Sequence, residues 1–179
     1  MIYIFLASGF EEIEALTTVD LLRRAELNVK TVGIGSKTIR GAHGITVISD
    51  IQEKDVVTDN LDAIVLPGGM PGALNLEKSS IVTACVNYCN DNEKYIAAIC
   101  AAPSILGHNH ILDDKNATCF PGFENELYGA NVVDDHICVD GHIITAKGPG
   151  VSIEFSLKII EKLLNKEISN KIRMSIQCK

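Results

Sequence analysis

The run Ile2-Tyr3-Ile4-Phe5-Leu6 is apolar at every position. Successive strand residues point to opposite faces, so such a strand is stable only where both faces are covered, as in a parallel sheet flanked by helices. The next residues fit that demand. Between 11 and 25, Ala15, Leu16, Val19, Leu22 and Ala25 recur at helical spacing, and Arg23 and Arg24 close the last turn, where cations suit the helix dipole. Ser8 with Glu11 three residues later reads as a capping box that starts the helix near this point. Residues 28–33 then supply a second strand and complete a βαβ unit.

The alternation continues. Residues 37–40 and 44–48, separated by Gly41-Ala42-His43, read as a short hairpin appended to the sheet. Residues 63–66 form a buried strand stopped by Pro67-Gly68-Gly69, followed by a helix with Ile81, Cys85 and Cys89 on one face and by an apolar strand over 95–99. Short strands are predicted at 117–119, 137–139 and 142–145, the last two joined by an Asp140-Gly141 turn. Gly148-Pro149-Gly150 leads into a final helix with Ile153, Leu157, Ile160 and Leu164 as its apolar stripe. With 179 residues and no linker or repeat, this is one α/β domain over 1–179 with a mainly parallel sheet.

Composition excludes several functions. A formal charge of −7 gives no basis for holding phosphate backbones, so no nucleic-acid partner is expected. The apolar runs are strand-sized, and the first is not preceded by a basic segment, so neither a membrane span nor a signal peptide is expected and the location reads as cytoplasmic. The six cysteines (Cys85, Cys89, Cys100, Cys119, Cys138, Cys178) then read as free thiols.

Ligands of such folds bind beyond the carboxyl ends of the strands. Three features lie there. Cys100, in Ala97-Ala98-Ile99-Cys100-Ala101-Ala102-Pro103, has small residues two before and two after it, as a nucleophile on a sharp strand-to-helix turn requires. The helix that follows is expected to lower the thiol pKa through its dipole. Gly68 and Gly69 leave backbone N–H groups free to hold an oxyanion. Glu11, Glu12 and Glu14 begin a helix, and at helical spacing one carboxyl can face Cys100 while the others stay solvated. A thiol and a carboxyl side by side share one proton, which provides a nucleophile and a proton shuttle together. His108 and His110 lack metal-ligand spacing and read as surface or loop residues; no metal is expected. Cys85 and Cys89 are expected to pack in the core.

Together with Gly9-Phe10-Glu11-Glu12-Ile13-Glu14, Asp20-Leu21-Leu22-Arg23-Arg24-Ala25, Val65-Leu66-Pro67-Gly68-Gly69 and Lys147-Gly148-Pro149-Gly150, these residues resemble the DJ-1/PfpI superfamily, in its DJ-1/ThiJ/YajL-like branch, over nearly the whole chain. The resemblance implies a flavodoxin-like three-layer sandwich with a nucleophile elbow like that of glutamine amidotransferases. It assigns Cys100 as the elbow cysteine, Glu14 as the carboxyl bonded to it, and Gly69 and Ala101 as oxyanion donors. It also implies a homodimer, with Arg24, Phe120 and Pro149 near the site or the interface. Phe120 stands where many DJ-1 proteins carry histidine, and Ala101 stands where PfpI-type peptidases carry one. The implied activity is cofactor-independent chemistry on small α-oxoaldehydes, of glyoxalase or deglycase type. The alternatives are a redox sensor or chaperone working through oxidation of Cys100, and, third, a cysteine peptidase or amidase.

Overall fold

A computed structural model describes residues 1–178. In chain order it forms β1 (Ile2–Leu6), α1 (Glu12–Arg24), β2 (Val29–Gly33), β3 (Thr38–Arg40), β4 (Thr46–Ile48), β5 (Ile51–Gln52), β6 (Ala63–Leu66), α2 (Gly72–Glu77), α3 (Ser80–Asp91), β7 (Tyr95–Ile99), α4 (Pro103–His108), β8 (Asn116–Ala117), β9 (Asn131–Val132), β10 (Ile137–Asp140), β11 (Ile143–Ala146), α5 (Ser152–Leu163) and α6 (Lys166–Ser175). Seven strands make one sheet in the order β10-β11-β7-β6-β1-β2-β5, parallel except for β10 against β11.

The double-sided burial of β1 organises the layers. Tyr3, Phe5 and Ala7 face Val82, Cys85, Val86 and Cys89 of α3 with Leu76 of α2 and Ile105 and Leu106 of α4. Ile2, Ile4 and Leu6 face Ala15, Leu21 and Leu22 of α1, Phe155, Ile159 and Ile160 of α5 and Ile172 of α6. Each such side chain taken fully out of water contributes about 1.5–3 kcal/mol. The result is the expected flavodoxin-like three-layer α/β sandwich, with Cys85 and Cys89 in the core.

Local departures have physical causes. α1 begins at Glu12 behind an extended Glu11 that makes no side-chain cap; Ser8 is exposed and no capping box forms there. The β3–β4 hairpin is a separate two-stranded sheet, not an extension of the main one. Residues 143 and 140 pair across β10–β11, so the turn is Gly141-His142, one residue later than the Asp140-Gly141 reading, with Gly141 at φ +57°. The chain also carries α2 and α6, which the periodicity did not reveal. On α5 the buried face runs through Phe155, Leu157, Ile159 and Ile160; Ile153 and Leu164 are partly exposed, and Leu164 lies past the helix end. Among the described residues no helix is long and apolar enough to cross a membrane.

Candidate active site

Cys100 follows directly on β7 and has φ +66°, in the left-handed region that a side chain rarely adopts. Such a conformation costs about 1–3 kcal/mol and persists only where its surroundings fix it. Here Cys100 N–H donates to the Ala146 carbonyl at 2.9 Å and the Cys100 carbonyl accepts from Phe120 N–H at 2.9 Å. Ala98 and Ala102 are fully buried around the turn. Gly68 has no room for a side chain: a Cβ there would lie 2.7 Å from Cys100 Cβ and 3.0 Å from both Ala101 N and Glu14 Oε2. The expected elbow is therefore present, closed on one side by the glycine after β6.

Glu14, in the first turn of α1, has no solvent exposure. Its Oε2 accepts from Gly68 N–H at 2.7 Å, while Oε1 is buried with no nitrogen or oxygen partner. The Cys100 thiol also neighbours the carboxyl, close enough for each group to shift the other's titration. Burial pushes the Glu14 carboxyl up to about 7, against the Gly68 N–H and the thiol. Burial, the Glu14 charge and the hydrogen bond to that carboxyl push the thiol up to about 12, against the N–H groups of Gly69 and Ala101.

This corrects the expectation of a thiol acidified by the following helix. α4 has only six residues, and desolvation with a neighbouring carboxylate outweighs the two N–H donors. With these values the pair carries two protons below about pH 7 and one, on the sulfur, from there to about 12. The other buried thiols are also shifted upward, Cys85 to about 11, Cys89 to about 12 and Cys119 to about 11, all by burial first. Cys100 differs from them in its partners and in being only partly buried.

The other predicted residues divide. The N–H groups of Gly69 and Ala101 are near enough to the thiol to lower its pKa. Gly68, grouped with them as a donor toward substrate, instead spends its N–H on Glu14. Phe120 and Pro149 line a cleft together with Gly148, where a Cβ would come 3.1 Å from the Phe120 ring and 4.0 Å from Cys100 Sγ. Arg24 is not brought to the thiol within one chain. It sits ten residues beyond Glu14 on α1, about 15 Å along the helix, half exposed and paired with Asp20 at 2.8 Å.

Glu11 and Glu12 are buried as well, contrary to the expectation that they stay solvated. Glu12 Oε1 accepts from the backbone N–H groups of His43 at 2.8 Å and Ile45 at 3.3 Å, and its Oε2 lies 3.0 Å from His43 Nδ1. Glu11, Glu12 and His43 have the spacing of a cation site, yet both Glu12 oxygens are engaged in holding the hairpin. Nor is His108 a free surface group; its ring lies between the carboxylates of Glu77 and Glu126. Two roles escaped the sequence reading, the Glu12 clamp and the close packing at Gly148. The only signal for them was the acidic cluster and the Lys147-Gly148-Pro149-Gly150 motif, neither of which names a partner.

Comparison with known proteins places these features in context. The chain matches the DJ-1/PfpI family over residues 1–162. It is 36% identical over 167 residues to Protein dj-1beta of Drosophila melanogaster, covering 92% of this chain and 89% of the relative. It is 32% identical over 164 residues to the glutathione-independent glyoxalase DJR-1.2 of Caenorhabditis elegans, covering 90% and 87%. Among solved structures, oxidized Toxoplasma gondii DJ-1 superposes with a TM-score of 0.95 at 34% identity, covering 99% of this chain and 97% of the other.

Proposed function

The chain belongs to the DJ-1/PfpI family, and from that premise we propose that it is a cofactor-independent enzyme converting small α-oxoaldehydes such as methylglyoxal to 2-hydroxy acids. The observation that carries this reading is the Glu14 carboxyl: fully buried, anchored through Oε2 to Gly68, and with an unpartnered Oε1 beside the Cys100 thiol. Passing the thiol proton to Oε1 would satisfy this oxygen and leave a thiolate, held by the Gly69 and Ala101 N–H groups, at the moment of attack.

In the proposed cycle the thiolate adds to the aldehyde carbon, forming a C–S bond and an alkoxide. Glu14 gives the alkoxide its proton. The carboxylate then removes the hydrogen of that carbon and returns it to the neighbouring carbonyl carbon through an enediol. The first carbon is thereby oxidised to a thioester and the second reduced to an alcohol, with no external oxidant. Water releases the hydroxy acid and regenerates the thiol. The N–H pair steadies each oxyanion, an effect that costs about 10²–10³ in rate when one donor is lost in comparable sites. The glyoxalase named among the relatives supports this choice of substrate. Methylglyoxal-to-lactate turnover should vanish in Cys100→Ala and Glu14→Gln; wild-type turnover in Cys100→Ser would refute the mechanism.

A second reading uses the same thiolate. With hydrogen peroxide as oxidant, Cys100 takes up two oxygens as sulfinate while two peroxides are reduced to water, and a protonated Glu14 donates to the product. The partial exposure of Cys100 favours it, as does a similar protein solved in an oxidized form. Intact-mass analysis after mild peroxide should find that gain on Cys100; its absence would count against the sensor. The peptidase reading gains nothing, since buried Ala101 follows the thiol. Homodimerisation is part of the proposal, supported by the exposed Ile13, Leu16, Ile45 and Ile48.

A further inference from the structure

We propose that the cleft beside Cys100 selects α-oxoaldehydes that carry an apolar tail, an aryl or branched alkyl group, and that Phe120 is the residue that sets this preference. The inference rests on the α-oxoaldehyde reading above and specifies its substrate class. The cleft holds about 180 Å³, and Phe120, Pro121, Pro149 and Val151 present carbon to it. That is about six water volumes, more room than a methyl tail needs.

Two polar residues line the cleft, but the surface that faces it is nearly all carbon. Lys147 Nζ is committed to Asp134, pairing with its carboxylate and lying 3.4 Å from its carbonyl oxygen, which leaves the aliphatic stem toward the cleft. His136 is exposed to solvent. A charged or hydrated tail would therefore lose water against rings and methyl groups without gaining a partner, whereas an apolar tail gains by the same burial.

Phe120 is tied to the reacting centre by more than proximity. Its backbone N–H donates to the Cys100 carbonyl, and its ring packs over Gly148, next to the sulfur. Phe120 is still 42% exposed, an apolar residue left open beside the thiol. A tail on the carbon bonded to the attacked aldehyde would lie against this ring in the adduct.

The test is the ratio of kcat/KM for phenylglyoxal to that for methylglyoxal, measured in wild type and in Phe120→His, which keeps a planar ring and the backbone bond but is polar. Comparing ratios cancels the intrinsic reactivity of the two aldehydes. The ratio should fall about tenfold in the variant, the scale at which apolar pockets discriminate. Val151→Thr, an isosteric polar change on another wall, should lower it in the same direction and serves if Phe120→His does not fold. An unchanged or increased ratio in the folded variants overturns the proposal. Where wild type turns over neither aldehyde, the enzyme reading falls, and the preference is decided by alkylation of Cys100, in which the sulfur displaces halide and forms a thioether. The rate with phenacyl bromide relative to iodoacetamide should then drop severalfold in Phe120→His, and an equal ratio in both proteins would refute the apolar cleft.

Discussion

Glu14 lies where a carboxyl is least comfortable, away from water and beside a thiol, and its titration should be visible from outside. The thiol is held up to about 12, above the carboxyl at about 7, so alkylation of Cys100 by iodoacetamide should still be rising with pH through the alkaline range. In Glu14→Gln the charge and the hydrogen bond that raise the thiol are gone, so the rise should begin at lower pH; a profile like that of wild type would refute the coupling of the two groups. Stability carries the same signature. The folded-state pKa of Glu14 is raised from 4.5 to about 7, so the folded form holds the proton more tightly and loses stability as pH climbs between those values. Relative to wild type, Glu14→Gln should therefore gain on the order of 3 kcal/mol in denaturant melts between about pH 4 and pH 8. Gly68→Ala tests the other side of the elbow: a Cβ 2.7 Å from that of Cys100 forces the backbone apart, destabilising by about 1–3 kcal/mol and reducing turnover of methylglyoxal at least about a hundredfold.

The first turn of α1 joins two tasks, since Glu14 reaches the thiol and Glu12 holds the β3–β4 hairpin. Burial raises the Glu12 pKa, but the His43 side chain and the surrounding N–H groups outweigh it and keep the carboxyl ionised below its usual range. Glu12→Ala leaves the N–H groups of His43 and Ile45 without their acceptor, a loss of about 1–3 kcal/mol. Amide exchange at residues 41–48 should accelerate while that of β6 and β7 stays protected; uniform protection would show that the clamp does not matter. Sequence patterns resolved these elements unevenly. β1, β6 and β7 were legible because a strand buried on both faces must be apolar throughout. α6 was not, because its few buried positions, Ser169 and Ile172, leave too weak a pattern among charged residues. The missing side-chain cap at Glu11 has a different cause: the entry of α1 is fixed from outside, by Glu11 N–H donating to the Gly68 carbonyl at 3.0 Å.

At the scale of the whole molecule, four exposed apolar residues, Ile13, Leu16, Ile45 and Ile48, lie on α1 and the hairpin that Glu12 clamps to it. If Ile13, Leu16, Ile45 and Ile48 are the dimer face, sedimentation should give a dimer for wild type and a monomer for Ile48→Lys; a monomeric wild type would refute the interface. The sequence by itself determined the alternation of strands and helices, the parallel sheet and the place of Cys100 on a sharp turn at a strand end. Those properties are written in periodicity and in small neighbours, which act within a few residues of chain. Only the tertiary structure decided which of three glutamates meets the thiol, where the Gly68 N–H goes, that the thiol is raised rather than lowered, and that Phe120 stands over Gly148. The reason is physical: a pKa and a hydrogen-bond partner depend on groups brought together from α1, β6, β7 and the loop at Phe120, and on the water that their packing removes.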